Sequence, residues 1–256
     1  MNRIDRVFMD LRNKGQKALI AYITAGYPDI DATVELVHTI SDAGADIVEI
    51  GIPYSDPLAD GPVLQRAASK ALEKGFKVCD VFDAVRRIRE RSDIALVFLV
   101  YFNTVFRYGV ESFIKDSKDA GIDGFIIPDL PLEERSEANG VIKRYGLHHI
   151  PLVAPTSHER IKEIVKEAGG FVYCVSTTGV TGERDKLDTD MAAYMEEVKR
   201  FTDLPRAIGF GISSPEMVMS LKHHCEGVIV GSAIARLIDD PSSVKDFVKS
   251  IKKALE

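Results

Sequence analysis

The chain has 256 residues, 45% of them apolar, with 39 acidic against 33 basic side chains and a formal net charge of −6. That is enough apolar sequence for a core without disulfide staples, and 19 Gly and 11 Pro exclude collagen-like and low-complexity sequence. The acid excess argues against nucleic acid as a partner, and no window nears the roughly 18 uninterrupted apolar residues of a membrane span, so no membrane association and a cytoplasmic location are expected.

The N-terminal segment places Ile4, Val7, Phe8 and Leu11 on one helical face and carries no apolar targeting core. It predicts a helix ahead of the first strand that covers one end of the fold. Short β-branched runs then alternate with amphipathic helices, at 19–24, 46–50, 95–100, 124–128, 149–154, 171–175, 206–210 and 227–231. These runs are near-continuously apolar, as strands buried on both faces of a parallel sheet must be. Ile30, Val34 and Val37 stripe the helix after the first run. Ile161, Ile164, Val165 and Ala168 predict a helix over 158–168, with Thr156 and Glu159 as its capping box and Gly169-Gly170 as its stop. Val244, Phe247, Val248, Ile251 and Leu255 mark the last helix. Eight strands alternating with helices, and no Ser/Gly/Pro-rich linker, predict an α/β fold: a single (β/α)8 TIM barrel domain over residues 1–256 with an extra N-terminal helix. An open doubly wound sheet has the same local grammar, and the strand count favours the barrel.

In a barrel the chemistry gathers at the C-terminal ends of the strands. Glu49 sits there between Val48 and Ile50, an ionisable group in an apolar strand, where burial should raise its pKa. The bland alternative is a Glu satisfied by a Lys or Arg, but neither neighbouring run offers one. The following loop, GIPYSDPLADGP (51–62), is stiffened by three prolines and carries Asp56 and Asp60. A buried acid with a more solvated aspartate suits acid/base work, although either aspartate could merely cap a turn. The segment 176–190 after the sixth run, with Gly179 and Gly182, reads as a lid or as a plain surface connection. GFGISS (209–214) and GSA (231–233) are small-residue turns at the ends of the last two runs, where barrels build phosphate sites. No strand-end Lys suggests a Schiff base. His148, His149, His223 and His224 precede strands, and the three cysteines (Cys79, Cys174, Cys225) stand too far apart for a CxxC pair, so no metal site is expected.

VEIGIPYSDPLADGP (48–62) closely resembles the signature of the tryptophan synthase alpha chain family. ITAGYPD (23–29), DGFIIPDLP (123–131), APTSHERI (154–161), STTGVTG (176–182), GFGIS (209–213) and GSAI (231–234) extend the resemblance in matching order. It implies a (β/α)8 barrel that cleaves indole-3-glycerol phosphate to indole and glyceraldehyde 3-phosphate. By position, Glu49 resembles the general acid/base that protonates the indole ring carbon, and Asp60 the carboxylate that holds the indole N–H. Tyr173 resembles the tyrosine near the glycerol portion, and Thr181 the lid threonine that reaches Asp60. Gly182, Gly211, Gly231 and Ser232 match the phosphate-binding turns. Tyr22 stands where some members carry a pocket Phe, and Thr177 where some bacterial members carry Arg. The resemblance also implies a beta-chain partner in an α2β2 heterotetramer, met through the loop bearing Pro53 and Asp56. Pyridoxal phosphate would belong to that partner, leaving this chain without a cofactor of its own. Competing expectations are another phosphate-binding barrel, which would want a strand-end Lys or metal-binding His, and a catalytically silent subunit, which could lose Glu49 or Asp60.

Overall fold

The computed structural model describes residues 1–175, 184–209 and 211–256, with backbone alone over 184–190. Its strands are β1 (Ala18–Thr24), β2 (Ile47–Gly51), β3 (Ala95–Leu99), β4 (Gly124–Ile126), β5 (His148–His149), β6 (Leu152–Val153), β7 (Val172–Val175), β8 (Arg206–Gly209) and β9 (Gly227–Val230). Every pairing is parallel, in the order β5-β4-β3-β2-β1-β9-β8-β7-β6. The sheet therefore begins and ends on neighbouring segments of one stave. Pro151 splits that stave because it has no N–H to give the ladder. Ile150 N still donates to Phe125 O at 2.8 Å, and Pro151 O accepts from Tyr173 N at 3.0 Å, so the barrel closes across the break. The predicted run 149–154 is thus two short strands, and the barrel has its eight staves.

Alternation along each strand sorts the core into two layers. Inside lie Ala18, Ile20 and Tyr22 of β1, with Ile47, Val97, Ile126, Ile150, Ala207 and Ile229 from the others. Outside, Leu19, Ala21, Ile23, Val48, Ile50 and Phe98 pack under the ring of helices. The helix Arg3–Lys14 covers the N-terminal end as expected, burying Ile4, Phe8 and Leu11 against the inner layer. Asn2 caps it by accepting from Ile4 N at 2.9 Å, and Gly15, at φ 67°, ends it in the left-handed conformation.

An ionic lattice fastens that end. The Asp123 carboxylate, 4% exposed, accepts from Arg3 at 3.0 Å, Arg89 at 3.1 Å and Leu96 N at 2.9 Å. His148 Nε2 lies 2.8 Å from Asp5 Oδ1, tying the fifth stave to the same helix. These contacts lie on the barrel face associated with stability, away from the chemistry.

Two predicted elements differ. The helix expected over 158–168 is a 3₁₀ turn, Pro155–Arg160, followed by a short helix, Ile161–Val165. His158, at φ 33°, breaks the continuity, and Ser157 Oγ accepts from Ala154 N at 3.1 Å in place of the Thr156–Glu159 capping box. Ile161 and Val165 are buried as their spacing required. The segment 176–190, read as one loop, is helical from Arg184, where the helix Arg184–Lys199 begins. Among the described residues, no helix is long and apolar enough to cross a membrane.

Candidate active site

The C-terminal ends of the strands open into a cavity of about 560 Å³. Its walls include Tyr22, Glu49, Asp60, Tyr173, Gly211, Gly231 and Ser232, every described residue among the predicted site positions. Thr181, Gly182 and Thr177 lie outside the described residues.

Glu49 enters from β2. Ile47 faces the inner core, so the two-residue period sends Glu49 inward as well, in register between Tyr22 and Val97. It is 1% exposed, makes no ion pair among the described residues, and its Oε2 has no hydrogen-bond partner. A partnering Lys or Arg, the bland alternative, is therefore not what holds this carboxyl. Burial first, and the nearby Asp60 charge second, push its pKa up to about 8, so the neutral acid dominates at pH 7.

Asp60 arrives from the proline-rich loop, just before the helix Pro62–Glu73. Gly61 is that helix's N-cap, so Asp60 is not spent on capping. Burial raises its pKa to about 6, and a hydrogen bond from the Tyr101 hydroxyl opposes the rise. Asp56 behaves as a turn residue. Its carboxylate accepts from Ser55 Oγ at 2.9 Å on the protein surface, and it does not line the cavity.

The two cavity tyrosines owe their poses to glycines on neighbouring strands. A Cβ at Gly51 would lie 2.1 Å from the Tyr22 hydroxyl, and one at Gly209 would lie 2.4 Å from that of Tyr173. Each ring lies across its neighbour at a point where only a bare Cα leaves room. Burial raises both phenols well above the ordinary value, keeping them neutral beside Glu49 and Asp60.

The family model of the tryptophan synthase alpha chain matches residues 8–255. The chain belongs to the tryptophan synthase alpha chain family. It is 55% identical to the tryptophan synthase alpha chain of Caldanaerobacter subterraneus subsp. tengcongensis and 49% identical to that of Clostridium kluyveri, covering all of both chains in each case. Among solved structures, tryptophan synthase subunit alpha from Legionella pneumophila superposes with a TM-score of 0.93 at 35% identity, over 100% of this chain and 98% of that one. As a member of the alpha chain family, the protein is a carbon–carbon lyase of tryptophan biosynthesis that cleaves indole-3-glycerol phosphate.

In this member of the alpha chain family, Tyr101 is a site residue that the sequence reading missed. It stands just beyond β3, its hydroxyl accepts from Ala59 N at 2.9 Å, and its ring stacks on Tyr54 with centroids 4.9 Å apart. It fixes the backbone beside Asp60. The signal was available in its place at a strand's C-terminal end.

Proposed function

We propose that Glu49 is the general acid/base of the cleavage and that Asp60 is the ionised carboxylate that holds the indole N–H. The observation that carries this reading is the buried, unpartnered Glu49 carboxyl, which shares one cavity with an aspartate of lower pKa.

Breaking the bond between the ring carbon and the glycerol chain requires electrons to stay on the ring until it leaves as indole. Glu49, neutral at pH 7, delivers a proton to that ring carbon. The positive charge this creates is shared with the ring nitrogen, where Asp60 stabilises it. The carbon–carbon bond then breaks as the adjacent hydroxyl loses its proton and becomes the aldehyde of glyceraldehyde 3-phosphate. The carboxylate left on Glu49 takes up that proton, so the acid is restored and protons balance. Tyr173 flanks the glycerol portion, and Tyr22 walls the indole pocket. The backbone amides of Gly211 and Gly231 and the Ser232 hydroxyl receive the phosphate.

The partner in this reading is a tryptophan synthase beta chain in an α2β2 heterotetramer, docked on the loop carrying Pro53 and Asp56. Pyridoxal phosphate resides in that beta chain, and a cytoplasmic location goes with the assembly. One domain, residues 1–256, carries all of this chain's part.

The two carboxyls set a pH profile. Cleavage needs Asp60 ionised and Glu49 protonated, so kcat/KM should rise through about pH 6 and fall through about pH 8. Asp60→Asn should erase the acid limb. It should also move the alkaline limb to lower pH, because the Asp60 charge helps hold the Glu49 proton. Indole release measured from about pH 5 to 9 checks both, and an unchanged acid limb in Asp60→Asn would refute the assignment.

A further inference from the structure

The phosphate of the substrate carries about −1.5 to −2 charges at pH 7. The cavity that must hold it already contains the Asp60 carboxylate, on a chain with a net charge of −6. Backbone amides at glycine turns can donate hydrogen bonds to a phosphate, but they bring no formal charge. Among the described residues lining the cavity, Arg236 is the one cation.

Arg236 lies in the short helix Ser232–Leu237 that follows β9. It is four residues beyond Ser232, so the two share one helix face. Helical side chains lean toward the N-terminus, which carries the long arginine stem back over Ser232 and toward the cavity. Its guanidinium forms no ion pair among the described residues; Arg12, Arg66, Arg107 and Arg200 are likewise unpaired, but only Arg236 stands on the cavity wall.

We infer that Arg236 is a binding residue for the substrate phosphate, supplying the charge that the glycine turns lack and setting the preference for a phosphorylated side chain. This rests on the reading that the β8 and β9 side of the cavity receives the phosphate. A guanidinium offers a planar fork matched to phosphate oxygens, so it orients the group as well as attracting it. The contact is the same in substrate and transition state, and it therefore acts on KM and not on kcat.

The test uses the complex of this chain with a tryptophan synthase beta chain. Arg236→Gln should raise KM for indole-3-glycerol phosphate about 10-fold, the low end for one charge-assisted contact near solvent, with kcat within about twofold. Arg236→Lys should recover much of the loss. Raising salt from ~0.05 to ~0.5 M should raise the wild-type KM and leave that of Arg236→Gln nearly flat. With unphosphorylated indole-3-glycerol, wild type and variant should perform alike. A last-turn arginine that merely complements the carbonyl end of its helix would change thermal stability and leave KM alone. An Arg236→Gln KM within twofold of wild type, or an equal loss on the unphosphorylated compound, overturns the assignment while wild-type turnover still upholds the cleavage reading. Absence of wild-type turnover overturns that reading and the assignment with it.

Discussion

Glu49→Gln should lower indole release by at least about 10²–10⁴-fold, the usual worth of a positioned acid/base, while leaving the protein as stable as before or more so. Glutamine matches the shape and neutrality of the protonated acid but has no proton to deliver. The stability effect follows from the raised pKa. At pH 7 an unfolded Glu is ionised, whereas Glu49 with a pKa of about 8 is protonated in the fold. The native state therefore binds the extra proton, and stability falls as pH rises from the ordinary carboxyl value toward 8. The cost at neutral pH is on the order of a few kcal/mol, and glutamine removes it. Urea unfolding at pH 5 and pH 8 should show wild type losing stability across that interval and the variant losing less. Retention of a tenth or more of the activity in Glu49→Gln would place the acid elsewhere.

Asp123→Ala should produce the opposite pattern, a loss of about 3–5 kcal/mol of stability with kcat/KM of the folded enzyme unchanged. Arg89, its side chain 13% exposed, would lose its carboxylate, and Leu96 N its acceptor. Burial already lowers the Arg89 pKa to about 10, so this guanidinium is poorly solvated and depends on Asp123 for compensation. Arg3 would also lose one of its two carboxylate partners, keeping only Asp93, which weakens the hold on the helix that closes the N-terminal end. A denaturation midpoint shifted by less than about 1 kcal/mol would show the lattice to be dispensable. Together the two variants separate the barrel's two faces, one tuned for stability and the other carrying a group that costs stability for the sake of chemistry.

The strands were legible because burial on both faces leaves continuous apolar runs, and Glu49 was legible because it interrupts one of them. The loop 51–62 announced itself by its prolines, and the turn at Gly231 by its small residues. The split of the fifth stave was written in Pro151, yet a single proline inside an apolar run does not reveal that the ladder resumes beyond it. The helix at Ile161–Val165 came out shorter because His158 adopts a backbone conformation that side-chain spacing cannot report. Tyr101 acts on Ala59 across 42 positions of sequence, and Gly51 and Gly209 act by leaving room for rings from neighbouring strands. Such relations belong to register and closure, which arise only once the barrel has formed. Arg236 is not legible in the sequence because a lone arginine late in a helix looks like ordinary surface charge until the cavity beside it has formed.

In the proposed reading, this chain cleaves indole-3-glycerol phosphate through its own carboxyls and works with a beta-chain partner. The most direct measurement is the time course of indole release from that substrate by the purified chain, alone and with a tryptophan synthase beta chain. The chain contains no Trp, so its own fluorescence does not obscure indole. Slow release by the chain alone, rising when the beta chain is added, is the predicted result. No indole under either condition, from a chain shown to be folded, would contradict it.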